Sequence, residues 1–327
     1  MIEQDPLLVT LVKLVGRVPR PPLPARDRRG RPLTYPDRLF LQALVIMIVR
    51  HLHTVHALRR VLAPPTPEMQ SLRAGLTVDG RFPTRRTWER RLHTIPATLP
   101  AQIGCLGRAL VVMIQPWATC GRAAAIDSTL WRARGGVWHT KDREAGIVPP
   151  TSIATQAHWS QSGGHGWVYG WQLPLVTTVA GVWIPLAADL TAANVADQVH
   201  ALTLLPELPV EVRYVLGDQH DNDPGIDAIC GHAGQTVVAT RHGPYPHPDD
   251  RVGVRRLLHE LRSHAIENLN EQCKGRFDVH GQVPTKGLVN TRRFALGAVF
   301  VYQLTRWYRH AHGLDRRVGL KPFLKAA

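Results

Sequence analysis

Two aspartates stand where short apolar runs give way to polar turns: Asp127 after Ala123–Ile126, and Asp218 after Val215-Leu216-Gly217. If these runs are neighbouring strands, both carboxylates project from one edge of a sheet. Unpaired, they repel each other and one takes up a proton. A divalent cation removes that conflict, and hard oxygen donors select Mg²⁺ or Mn²⁺. A third carboxylate on a nearby helix lets two ions sit about 3.5–4 Å apart, the spacing of in-line phosphoryl transfer. Glu267 fits that place: at about 100° per residue, Val254, Leu258, Leu261, Ala265 and Leu269 form one apolar stripe and Glu267 falls opposite it. Lys274 lies about 20° from Glu267 two turns on, and Glu271 makes with Glu267 a like-charge pair that a cation would compensate. Plainer roles stay open. Asp127-Ser128-Thr129 suits an Asx-type turn, Asp218 can cap a helix near Asp223-Pro224, and Glu267 can sit on a wetted face. Asp221 is the reserve for Asp218.

The elements that must hold these acids follow from the pattern. In the first third, Tyr35-Pro36-Asp37 precedes an apolar run, Leu39–Val49, that is expected to flow into His53–Leu62 and stop at Pro64-Pro65. Thr84 caps a second helix through Thr87, Trp88 and Leu92, whose polar face carries Arg85, Arg86, Arg90 and Arg91. A third covers Ala101–Ile114 and ends at Pro116. Three short helices with the arginine-rich one in the middle suit a helix-turn-helix-like DNA-binding unit; a basic, solvated helix on a structural bundle is the alternative. Beyond Cys120 the periodicity changes. Ala123–Asp127, Val168–Thr178, Trp183–Ala188, Val212–Leu216 and Gln235–Thr240 read as strands, with Ala180-Gly181 a hairpin connection. Ala192–Leu205, with Thr191 as its candidate N-cap, Val254–Lys274 and Phe294–Tyr308 read as helices. The order is that of an α/β domain with a mixed sheet.

Charge narrows the partner. The chain of 327 residues carries +15 with pI ≈ 10.5. Met1–Cys120 holds 18 Lys+Arg against 7 Asp+Glu, so +11 of the +15 lies in the first third. Such a segment is drawn to phosphates by counterion release, which favours nucleic acid as the partner. A hydrophobic fraction of 44% supports a packed core of one large domain or two. The longest apolar stretches, Leu39–Val49 and Leu110–Ile114, fall short of a membrane span, and Met1–Pro6 holds Glu3 and Asp5 rather than a basic leader. The expected location is the cytoplasm, without membrane partners. Cys105, Cys120, Cys230 and Cys273 lie far apart and are expected as free thiols, and the sets His51/His53/His56 and His242/His247 lack a metal-ligand pattern.

Three blocks together resemble the DDE-type insertion-sequence transposases, whose catalytic domain is ribonuclease H-like. Ala125-Ile126-Asp127-Ser128-Thr129 is similar to the block of that family's first aspartate, and Tyr214-Val215-Leu216-Gly217-Asp218 with Asp221 to that of the second. Ile266-Glu267-Asn268 with Lys274 matches its glutamate, six residues, lysine spacing. Ser162-Gly163-Gly164 through Tyr169–Leu173, and Leu190–Asn194, resemble its second and third strands with their connections. The likeness covers roughly residues 123–310. It departs at seven and four residues before the glutamate, where Glu260 and Ser263 replace a tyrosine and an arginine, with Arg262 one place off. Gln219-His220 replace a glycine and an aromatic after the second aspartate. The 48 residues between Asp218 and Glu267 leave no room for a large β-rich insertion.

The resemblance implies a fold and an activity. The fold is α/β: a ribonuclease H-like mixed sheet flanked by helices (residues 119–327, with a C-terminal helix), preceded by a small all-helical DNA-binding domain (residues 1–118). The activity is two-metal cleavage and transfer of DNA strands, with Asp127, Asp218 and Glu267 holding two Mg²⁺ or Mn²⁺ ions. Lys274 and Arg262 would contact DNA near the cut end, and Arg85, Arg86, Arg90 and Arg91 the element's terminal inverted repeats. The partner would be double-stranded DNA, terminal repeats and target site, bound by a homodimer in a bacterial, nucleoid-associated setting. Two other functions fit the same residues: a ribonuclease H-like metal-dependent nuclease, and a catalytically retired DNA-binding protein.

Overall fold

The computed structural model describes residues 6–22, 34–119, 121–162, 166–239, 253–277, 281–315 and 319–324. Cys120, Gly163-Gly164, Thr240, His242, His247 and the side chain of Val254 lie outside the described residues. Among the described residues six α-helices come first: α1 (Leu7–Val15), α2 (Asp37–Val49), α3 (Val55–Val61), α4 (Pro67–Gly75), α5 (Arg85–Thr94) and α6 (Leu99–Ile114). Three helices were expected there. The run from Leu39 to Leu62 is broken because His51 takes a left-handed turn at φ 53°, after which Thr54 caps α3 by accepting from Ala57 N–H at 3.1 Å. Thr66 and Pro67 then start α4, a capping signal hidden behind the Pro64-Pro65 stop. Thr84 caps α5 as expected, accepting from Thr87 N–H at 3.3 Å.

The second part runs β1 (Ala123–Arg132), α7 (Thr140–Glu144), β2 (His158–Ser162), β3 (Gly166–Thr178), β4 (Pro185–Ala188), β5 (Thr191–Ala192), α8 (Asp197–Leu204), β6 (Tyr214–Leu216), α9 (Pro224–His232), β7 (Thr236–Val238), α10 (Gly253–Phe277), α11 (Leu288–Ala311) and α12 (Leu320–Leu324). One mixed sheet has the order β2-β3-β1-β6-β7, with β4 and β5 also paired to β3. β1 is antiparallel to β3 and parallel to β6, which is parallel to β7. β2 takes the outer edge of one half of β3, and β4 and β5 that of the other half. With β2 set aside, the order β4-β3-β1-β6-β7 is the ribonuclease H-like one, the first strand beside the fourth. β2 escaped the sequence reading because His158–Ser162 is mostly polar and lacks an apolar face. Residues 191–192 pair with Trp171 and Gln172 instead of entering a helix, so α8 begins only at Asp197.

Helix α10 covers one face of the sheet over β1 and β3, and α8 the other. α11 is the central helix of the helical layer and packs on α6, α2 and α1. The approach of α6 to β4 depends on Gly107: an added Cβ would stand 2.2 Å from the carbonyl oxygen of Pro185. Gln303 of α11 ties the same junction, donating to the carbonyls of Ile103 and Pro185 at 2.8 Å each. One continuous apolar core therefore runs from α1 through α11 to the sheet. Among the described residues no single helix is long and apolar enough to cross a membrane.

Candidate functional site

The parallel register of β1 and β6 positions the first two acids. Ala123 pairs with Tyr214, Ala124 with Val215 and Ala125 with Leu216. Asp127 and Asp218 each lie two residues past the Ala125–Leu216 rung, Asp127 still within β1 and Asp218 just beyond the end of β6, on strands about 4.8 Å apart. Short alanines along Ala123–Ala125 let β1 lie buried under α10, where Ala123 and Ala125 pack with Leu216 and Ala265. The pleat then directs Asp127 to that same face. There Arg262 of α10 approaches it, Nη1 3.6 Å from Asp127 Oδ2. The Ser128 N–H donates to Asp127 Oδ1 at 2.7 Å.

Asp218 is held by a reciprocal turn. Its Oδ1 accepts from His220 N–H at 2.6 Å, and its own N–H donates to Asp221 Oδ2 at 3.0 Å. Asp221 is buried, and it folds back against Gly217, where an added Cβ would meet Asp221 Cβ at 2.5 Å. Gly217→Ala is accordingly expected to cost about 1–3 kcal/mol, the range for overpacking a buried contact. Urea unfolding checks this, and a change within about 0.5 kcal/mol would mean that Asp221 is not fixed there.

A small cleft is lined by Ile126, Asp127, Ser128, Pro174, Asp197, His200, Asp218 and Asp221. Its carboxylates disturb one another. Burial pushes Asp127 up to about 6; Arg262 and the Ser128 N–H pull it down, while Asp218 and Asp197 push it further up. Burial pushes Asp221 up to about 7, and Asp218 adds to the rise; the Asp218 N–H opposes it, and Asp197 and Asp127 contribute the rest. Acids crowded and desolvated in this way are stabilised by an added positive charge.

Asp127, Asp218 and the reserve Asp221 are thus brought together. Glu267 is exposed on α10, between Arg262 and Lys274 in the chain. Lys274 is half-buried; burial lowers its pKa, while Glu271 and Asp127 raise it, which places its charge within the field of the acid cluster. Arg85 pairs with Glu89 at 2.7 Å on the surface. Arg91 is turned inward, bonded to Asp37, with its guanidinium 4.6 Å from the centre of the Phe40 ring. Arg86 and Arg90 are exposed. Asp197 was missed. An acid in the first turn of a helix is ordinary dipole compensation, so its type and place carried no distinct signal.

Among the described residues no three histidine, cysteine, aspartate or glutamate side chains converge as a ready metal-ligating group. The donor chemistry nevertheless fits a hard divalent cation: carboxylates sharing one cleft, crowded and desolvated, beside β1 where β6 has ended. Of the described cysteines, Cys105, Cys230 and Cys273 are free thiols, as expected.

The family described as Transposase DDE domain matches residues 118–304, more than half of the chain. No curated protein matches. Among solved structures, the Mos1 transposase paired-end complex with left transposon end is 13% identical, covering 89% of this chain and 82% of that one, with a TM-score of 0.23. The Mos1 mariner paired end complex with Mn is 14% identical with the same coverage and TM-score. At that TM-score the likeness carries no argument about this chain.

Proposed function

The chain belongs to the transposase DDE domain family, and from that premise we propose that it binds the terminal inverted repeats of an insertion sequence and catalyses cleavage and transfer of their strands. The observation that carries this reading is the meeting of Asp127, within β1, and Asp218, just past the end of the parallel neighbour β6, in one cleft. The family implies divalent metal use. In this reading Asp127 and Asp218 hold Mg²⁺ or Mn²⁺, and Glu267 completes a two-ion site from α10. Bound there, the ions supply Lewis-acid charge to the attacking and leaving oxygens of the scissile phosphate. The chain's own residues do the remaining work. Arg262 and Lys274, on the helix over β1, draw a phosphate toward the acids, and Gly217 and Asp221 keep Asp218 in place. Arg86 and Arg90 present the open part of the α5 face to DNA, supported by Arg85, while Arg91 fixes α5 to α2. A homodimer would pair two DNA ends.

A supercoiled plasmid carrying the element's ends, incubated with the protein and Mg²⁺, tests the proposal. Excision followed by joining is expected. Nicking without joining would favour the nuclease, and specific binding without cleavage the retired DNA-binding protein.

Cation binding should also leave a signature in stability. Asp127 and Asp221 titrate near 6 and 7 in the fold, against 3.8 for the ordinary group. A raised carboxyl contributes stability below its unfolded pKa and loses it as pH rises through the folded value. The two acids therefore penalise the fold increasingly from about pH 4 to pH 7, and a cation relieves that penalty only where they are ionised. The rise in melting temperature on adding millimolar Mn²⁺ should be small near about pH 5 and larger near about pH 8. A pH-independent rise would place the ion elsewhere.

A further inference from the structure

Ser128, one residue beyond Asp127, turns to the opposite face of β1 and meets Asp197, the first residue of α8. Asp197 Oδ1 accepts from Ser128 Oγ and from Gln172 Nε2, each at 2.6 Å. Gln172 Nε2 also donates to Ser128 Oγ at 2.6 Å, which closes a three-residue network. Gln172 is 5% exposed in a run of buried strand residues, and its Oε1 has no hydrogen-bond partner among the described residues. An unfilled buried acceptor costs about 1–3 kcal/mol, so an apolar residue would serve a purely structural role better. The amide reaches two residues that line the acid cleft, and Asp197 shares that cleft with Asp127, Asp218 and Asp221.

We propose that Asp197 contributes its second carboxylate oxygen to the divalent cation held by Asp127 and Asp218, with Ser128 and Gln172 fixing its orientation. The inference rests on the metal-dependent reading above and deepens it. Oδ1 is taken by two donors, so Oδ2 is the oxygen left for a cation in the cleft that Asp197 lines; hydrogen-bonded carboxylates of this kind orient metal ligands. Asp127 faces α10 and Asp197 belongs to α8, so the cation would be gripped from both sides of β1 where β6 has ended.

The test is Mn²⁺ binding by the full chain without DNA, followed through the electron paramagnetic resonance signal of free Mn²⁺. Asp197→Asn keeps an oxygen that accepts from Ser128 and Gln172 but removes the charge. It is expected to bind Mn²⁺ about 10–100-fold more weakly, with an unchanged melting temperature in metal-free buffer. Asp127→Asn serves as the companion and should lose binding as well. If Asp197→Asn binds as the wild type does while Asp127→Asn loses the ion, the inference is overturned and the reading of Asp127 stands. If both bind normally, the metal-dependent reading fails and takes the inference with it. Should Asp197→Asn not fold, Asp197→Ser carries the same comparison.

Discussion

Asp127→Asn is expected to lower Mg²⁺-dependent DNA strand cleavage by about 10³-fold or more, because it removes charge from the centre of a site that works by electrostatic preorganisation. The fold should not suffer. Asparagine has the same shape, and its oxygen can still accept from the Ser128 N–H. The ionised carboxylate is disfavoured where it stands: burial pushes Asp127 up to about 6 despite Arg262. The approach of Arg262, at 3.6 Å, is long for an ion pair with good hydrogen-bond geometry. Relief of desolvation therefore outweighs the lost attraction, and the melting temperature near neutral pH should stay level or rise. Gel-based cleavage of an end-bearing plasmid and a thermal melt read the two effects separately. Undiminished cleavage would remove Asp127 from the reaction; lost cleavage with a collapsed melt would leave only a structural role.

The second large effect is expected on stability. Trp131 lies four residues beyond Asp127 on β1, is fully buried, pairs across the sheet with Trp171 and meets Phe294 of α11 with ring centroids 6.2 Å apart. Trp131→Ala leaves a cavity between the sheet and the central helix and should cost about 3–5 kcal/mol. The midpoint of urea unfolding measures this, and a loss below about 1 kcal/mol would mean that α11 closes onto β1 without the indole. Because Asp127 and Trp131 share a strand, the far end of β1 anchors the acid.

Much of the site was legible because apolar strand segments announce themselves locally. Apolar runs leading to Asp127 and Asp218 predict two strands, and β1 and β6 are those strands, but β1 continues through the expected turn to Arg132 because pairing with β3 carries it on, so Asp127 lies inside its strand. The apolar stripe Leu258, Leu261, Ala265 and Leu269 predicts which face of α10 turns inward, and Glu267 is exposed as that stripe requires. Arg85, Arg86, Arg90 and Arg91 read as one basic face, yet Arg91 is spent on Asp37 and Phe40, which lie about fifty residues away in the chain. No local pattern distinguishes an arginine that binds a partner from one that staples two helices. β2 and α4 were missed for a related reason: one lacks an apolar face, and the other begins directly behind a proline pair.

By itself the sequence determined what periodicity and residue chemistry encode: the α/β order, the basic leading third, and two acids that follow apolar runs. Only the tertiary structure decided what depends on strand pairing and helix docking. It brought Asp127 and Asp218 into one cleft, folded Asp221 against Gly217, and set Arg262 on Asp127. It also joined Asp197 and Gln172 to Ser128, residues 69 and 44 positions away. The physical reason is range: periodicity reports a residue's own element, whereas the charge state and reach of a buried acid are set by groups that chain distance does not reveal.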